Sequence, residues 1–143
     1  SSRISEAMEN FGGNIGMCVE YLENESLRVI TSLTKRAADS IISRDEYSLL
    51  TVMSSAELKD RHMSAVFLEM LDRIIRDCTA LKFNKSASLI SCYPKGAEKL
   101  ADSISVKSAE KIHNLLNTAA ADVRANVNSI LLMSALCGEI INS

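Results

Sequence analysis

Residues 61–83, RHMSAVFLEMLDRIIRDCTALKF, decide how this chain folds. Ala65 or Val66, Phe67, Met70, Leu71, Ile74, Ile75, Cys78 and Leu81 recur at helical spacing, so a 3.6-residue turn gathers them on one broad side. Glu69, Asp72, Arg73, Arg76 and Asp77 interrupt that side. A face this wide must be buried against several neighbours. Burying Arg76 or Asp77 without a partner would cost several kcal/mol, so both are expected to have partners within the domain or across an interface.

The pattern continues in both directions. Residues 26–43 place Leu27, Ile30, Leu33, Ala37 and Ile41 on a helical stripe. Residues 44–56 read as a further helix with Asp45 as N-cap and with Tyr47, Leu50 and Met53 on one face. After 83, NKSAS reads as a link and SASLISCY as a short helix ended by Pro94. Residues 95–104 form another short helix. Ser105 caps a longer one at 106–127, with Ile112, Leu115, Leu116, Ala119 and Val123 as its apolar positions. In the closing segment, 128–142, Ile130, Leu131, Met133, Ala135, Leu136 and Ile140 surround most of the helix, which predicts deep burial. Upstream, residues 3–11 and 15–23 read as short helices separated by Gly12, Gly13 and Asn14. The fold class is therefore all-α, a compact bundle of about five to seven helices. Only five Gly and one Pro interrupt 143 residues.

Composition narrows the function classes. Hydrophobic residues make up 47% and aromatics 4%, without Trp, so the core is built from Leu, Ile, Val, Met and Ala. The net charge of −2 gives no global basic field for nucleic acid. Residues 1–60 carry 6 Lys/Arg and 10 Asp/Glu, and residues 61–143 carry 10 and 8, a mild asymmetry that a solvated surface explains. Cys18, Cys78, Cys92 and Cys137 form no CxxC pair and lie among apolar residues, which predicts buried free thiols in a reducing compartment. No apolar run reaches the length of a membrane span, and no basic head with an apolar run opens the chain. The expected setting is cytoplasmic. The chain opens already in a helical pattern, which reads as a segment of a longer protein.

Catalytic motifs fail on inspection. Gly12, Gly13 and Gly16 lack the Lys and Ser/Thr of a phosphate-binding loop and follow a helix rather than a strand; they read as a helix–turn–helix corner. His62 and His113 are isolated, so no metal site is expected. No Ser sits in a GxSxG elbow. Lys82, Lys85, Lys95 and Lys99 make a loose basic group without interleaved aromatics. The residues alone describe an all-α interaction domain without a catalytic signature.

Three stretches in order resemble a known family. FLEMLDRIIRDCTALKF carries Arg76, Asp77 and, five residues on, Lys82. RANVNSILLMSAL carries Asn126 and Asn128 before a Leu-rich last helix. FGGNIGMCVEYLEN resembles the corner opening the final helix of an AAA+ lid. Together they resemble the C-terminal half of the delta-prime subunit of the bacterial DNA polymerase III clamp loader, or of the related gamma/tau subunit. Met17 stands where gamma-type subunits carry a phosphate-sensing Arg, which favours delta-prime. Delta usually carries a His-Pro element, and here Pro94 follows Tyr93.

The resemblance implies a division at residues 1–24, the end of the AAA+ lid, and 25–143, a helical collar. Collars hold the five subunits of the loader together and do not hydrolyse ATP. The chain is then a non-catalytic oligomerisation domain without cofactor or metal. Its partners are other loader subunits (gamma/tau and delta), and it meets DNA and the sliding clamp only through the whole complex. Arg73, Arg76, Asp77, Lys82, Asn126 and Asn128 are the candidate structural or interface residues. Asn128 is expected to cap the last helix. Two other classes compete: a nucleic-acid-binding helical module using Lys82, Lys85, Lys95 and Lys99, and a small helical enzyme assembled from dispersed residues.

Overall fold

A computed structural model describes residues 25–125 and 128–143. The predicted helices at 3–11 and 15–23, the glycine corner, Met17, Cys18 and Asn126 lie outside the described residues. The described residues form six α-helices: α1 (Glu25–Ser43), α2 (Glu46–Met53), α3 (Arg61–Phe83), α4 (Pro94–Ser103), α5 (Val106–Arg124) and α6 (Ser129–Ile141). A 3-10 turn, Ala56–Lys59, precedes α3. No strand occurs among the described residues. The chain is all-α, as its periodicity predicts.

Helix α3 is the central column. It packs against α1, α4, α5 and the 3-10 turn, while α6 lies against α2 and α5. Phe67, Leu68, Leu71, Ile74, Ile75 and Cys78 of α3 are fully enclosed, and each large apolar side chain buried this way contributes about 1.5–3 kcal/mol. Ile30 and Ala37 of α1, Leu100 of α4, and Ile112 and Leu116 of α5 complete the same core. The α1 hydroxyls of Thr31, Thr34 and Ser40 are buried but donate to the carbonyls four residues back, so none is orphaned.

The helix starts follow the sequence closely. Asp45 accepts from Ser48 N at 3.0 Å and Ser105 from Ser108 N at 3.0 Å. Asp60 accepts from Met63 N at 3.0 Å and opens α3. The end of α1 is less obvious. Asp45 N donates to Ser40 O and Arg44 N to Ile41 O, the paired bonds of a Schellman ending. Arg44, not glycine, takes the left-handed position there, with φ 54°.

Three expectations are corrected. SASLISCY is not a helix: residues 84–93 form an extended loop, and Pro94 starts α4 instead of ending anything. Proline is well placed at a first helical position, where its missing N–H is not needed. The inward face of α2 is Leu49, Val52 and Met53, whereas Tyr47 and Leu50 face outward. Finally, α6 is not deeply buried all round. Met133, Leu136, Cys137 and Ile140 are buried, but Ile130, Leu131 and Ala135 are exposed, because α2 and α5 cover only its inner side.

Tyr93 ties the 84–93 loop to α1. Its hydroxyl donates to Asp39 Oδ1 at 2.9 Å, and Lys35 Nζ sits 5.8 Å from its ring centroid. The ring lies directly on Gly96, where an added Cβ would come within 2.3 Å of Tyr93 Cδ2. Gly96→Ala gains about 1 kcal/mol of helix propensity, but it must displace a ring held at both ends, an overpacking that costs about 1–3 kcal/mol. Urea unfolding is expected to show net destabilisation of Gly96→Ala; a more stable variant would contradict the packing of Tyr93.

Candidate functional site

Four charged residues in the middle of α3 are spaced by four, Asp72 with Arg76 and Arg73 with Asp77. The structure separates their tasks. Asp72, buried, takes Arg76 Nε at 3.1 Å on one oxygen and His113 Nδ1 at 2.5 Å on the other. A carboxylate only accepts, so Nδ1 carries the hydrogen. This network fastens α3 to α5. Arg124 of α5 also pairs with Glu69 of α3, nearer the start of the column.

Asp77, almost fully buried, does not pair with its neighbour Arg76. One oxygen accepts from Ile90 N at 2.9 Å. The other accepts from Ser91 N at 2.7 Å and from Ile90 N at 3.1 Å. A loop without regular structure leaves its N–H groups unpaired unless something receives them, and Asp77 receives two. Arg73 is half-buried on the same flank. Lys82, one turn on, donates Nζ to Ala101 O in α4 at 2.7 Å. Asn128 caps α6, accepting from Ile130 N at 3.0 Å and Leu131 N at 3.3 Å. Of the six candidate residues, the four on α3 lie along one column that meets α4, α5 and the 84–93 loop, and Asn128 stands apart at the start of α6.

Sequence reasoning missed His113 as the partner of Asp72, because the two are 41 residues apart and no local spacing links them. It also missed the 84–93 loop, whose own Ser91 and Cys92 are buried. Cys78, Cys92 and Cys137 are free and buried, as expected. Burial pushes the thiols of Cys78 and Cys92 up to about 11, nearby cations only partly opposing it, and raises that of Cys137. Burial, together with the Asp39 hydrogen bond, pushes Tyr93 up to about 12. These groups are made less reactive, the reverse of an activated nucleophile.

Two surface grooves bear on the competing readings. A groove of 530 Å³ holds Lys82 and Lys85, but Glu98 and Asp102 share its lining, so the lysines there do not make a continuous cationic track. A second groove, of 290 Å³ between α5 and α6, has Leu115, Leu132 and Leu136 in its lining with Lys111, Asp122 and Glu139. Among the described residues there is no group of three or more His, Cys, Asp or Glu placed to hold a metal, and no helix is long and apolar enough to cross a membrane. Comparison with protein-family models, with curated proteins and with solved structures finds no match for this chain.

The buried acid and the thiols generate three predictions. Asp77→Asn keeps one acceptor but loses the charge, and hydrogen bonds to charged groups are worth about 1.5–3 kcal/mol; the variant is expected to lose about that much in urea unfolding, with faster exchange at the amides of Ile90 and Ser91. Unchanged exchange there would contradict the anchoring. At pH 8, Cys78 and Cys92 should alkylate about a hundredfold more slowly in the folded chain than in urea, since their pKa rises from 9.0 to about 11. The folded state holds these protons above pH 9, where the unfolded state releases them. Stability is therefore expected to fall between pH 9 and pH 11.

Proposed function

We propose that residues 25–143 form a non-catalytic oligomerisation domain of the collar type. On this reading the chain is a delta-prime-like subunit of a DNA polymerase III clamp loader. It would help hold the loader together in the cytoplasm while ATP-driven modules elsewhere open the sliding clamp. The observation that carries the reading is the placement of the residues behind the resemblance. Asp77 anchors the 84–93 loop, Lys82 holds the end of α4, Arg76 joins the α3–α5 network and Asn128 starts α6. A collar needs a well-tied helical block, and the ties of α3 to α4, α5 and the 84–93 loop support that reading. The gamma/tau type of collar remains the near alternative within the same reading.

The nucleic-acid reading is weaker. Lys82 is committed to Ala101 O, and carboxylates share its groove, so a steep salt dependence from phosphate contacts has little to rest on.

Sedimentation of the 143-residue chain, alone and mixed with the gamma/tau and delta collar domains of the same source, tests the proposal. A discrete larger complex is expected. Absence of any complex at tens of micromolar, with every component folded, would overturn the collar reading.

A further inference from the structure

Of residues 84–93, which join α3 to α4, only Ser91 and Cys92 are buried, against eleven buried residues in α3. Apolar burial therefore holds this segment down only weakly. The polar ties are few. Asp77 accepts from Ile90 N and Ser91 N, and the Tyr93 hydroxyl donates to Asp39 Oδ1. The Tyr93–Asp39 bond is exposed, so water can take the place of either partner.

Both ends of the segment are secured independently of its middle. At the start, Asn84 N donates to Ala80 O and closes α3. Asn84 then accepts Ser86 N on Oδ1 at 3.0 Å and Ala87 N on its carbonyl at 3.0 Å, a turn that needs nothing from the rest of the chain. At the other end Pro94 begins α4, whose Ala97 and Leu100 are fully enclosed and whose Ala101 O is held by Lys82. Tyr93 O accepts from Ala97 N, a bond that survives when the Tyr93 ring swings off Gly96. Lifting residues 88–92 leaves all of these contacts in place. It also admits water to Asp77, so the carboxylate exchanges two N–H donors for solvent and is not left bare. Segments with so few buried contacts open at a free energy well below that of global unfolding.

We propose that residues 88–92, with the Tyr93 side chain, are a strap that opens as a unit while the helices stay folded, latched by Asp77 and Asp39. What opening uncovers is Cys92. In the closed chain its thiol is buried, and Lys35 and Arg73 act on it against that burial. In the open chain the burial is gone and the two cations remain. Cys78 differs: it is enclosed on the packed side of α3, and only unfolding of the helical block uncovers it. This inference stands independently of the collar reading.

Amide exchange and iodoacetamide alkylation of the 143-residue chain in rising, sub-denaturing urea test the strap, with mass spectrometry locating each alkylated thiol. Local opening exposes little surface and so responds little to urea, whereas global unfolding follows the full dependence. Exchange at Ile90 and Ser91 and alkylation of Cys92 are expected to change less than twofold up to half the midpoint concentration. Exchange at residues 67–78 and alkylation of Cys78 are expected to rise at least tenfold over the same range. Two variants separate the states. Leu136→Ala weakens the core at α6, which is folded whether the strap is open or closed. It should speed residues 67–78 and Cys78 at least tenfold and leave Ile90, Ser91 and Cys92 within twofold of the parent. Ile140→Val serves if Leu136→Ala fails to fold, with the same pattern at about 2- to 12-fold. Tyr93→Phe removes one latch and should speed Ile90, Ser91 and Cys92 about 2- to 12-fold. A urea dependence shared by strap and α3, or acceleration of the strap by the α6 variants, would overturn the proposal. Parent-like exchange at Ile90 and Ser91 in Tyr93→Phe would overturn Asp39 as a latch.

Discussion

A 23-residue helix enclosed by four elements cannot leave a carboxylate unsatisfied, and α3 encloses two. Removing one partner of a buried charge costs several kcal/mol, so the surroundings of Asp72 and Asp77 are fixed by what those groups require. Asp72 obtains a histidine from α5 and an arginine from its own helix. Asp77 obtains the backbone of the loop that leads into α4. The apolar side of α3 supplies most of the driving force for packing, but apolar contact is non-directional. The two carboxylates supply the direction, fixing where α5 and the 84–93 loop sit along the column.

The same economy explains the 84–93 loop. It has no ladder and no helix of its own, yet Ser91 and Cys92 are buried. Asp77 takes two of its N–H groups, Ser91 Oγ accepts from Tyr93 N at 3.3 Å, and the Tyr93 ring closes over Gly96 while its hydroxyl reaches Asp39. One side chain from α3 and one from α1 thus hold a segment whose own sequence specifies no regular structure.

Much of this architecture was legible in the sequence, because it follows from periodicity and caps. The stripes of α1, α3 and α5 and the caps Asp45, Ser105 and Asn128 are local signals, and local physics decides them. What was not legible depends on distant residues. His113 has no motif around it because its partner is in another helix. SASLISCY has enough apolar residues for a helix, but two of its N–H groups, those of Ile90 and Ser91, go to Asp77, 13 and 14 residues away. Tyr47 and Leu50 looked like a helix face, yet the bend at Arg44 turns α2 so that Leu49 and Val52 point inward. The error on α6 has a different source. Apolar residues surround most of it, but its contacts among the described residues, with α2, α5 and the 3-10 turn, leave Ile130, Leu131 and Ala135 exposed.

The described residues form a helical block built on α3, and the outer side of α6 is exposed. Amide hydrogen exchange along the 143-residue chain tests both halves at once. The account predicts that amides of residues 67–78 exchange only through global unfolding, and that those of residues 131–136 are faster. Exchange in α3 as fast as in α6 would contradict it.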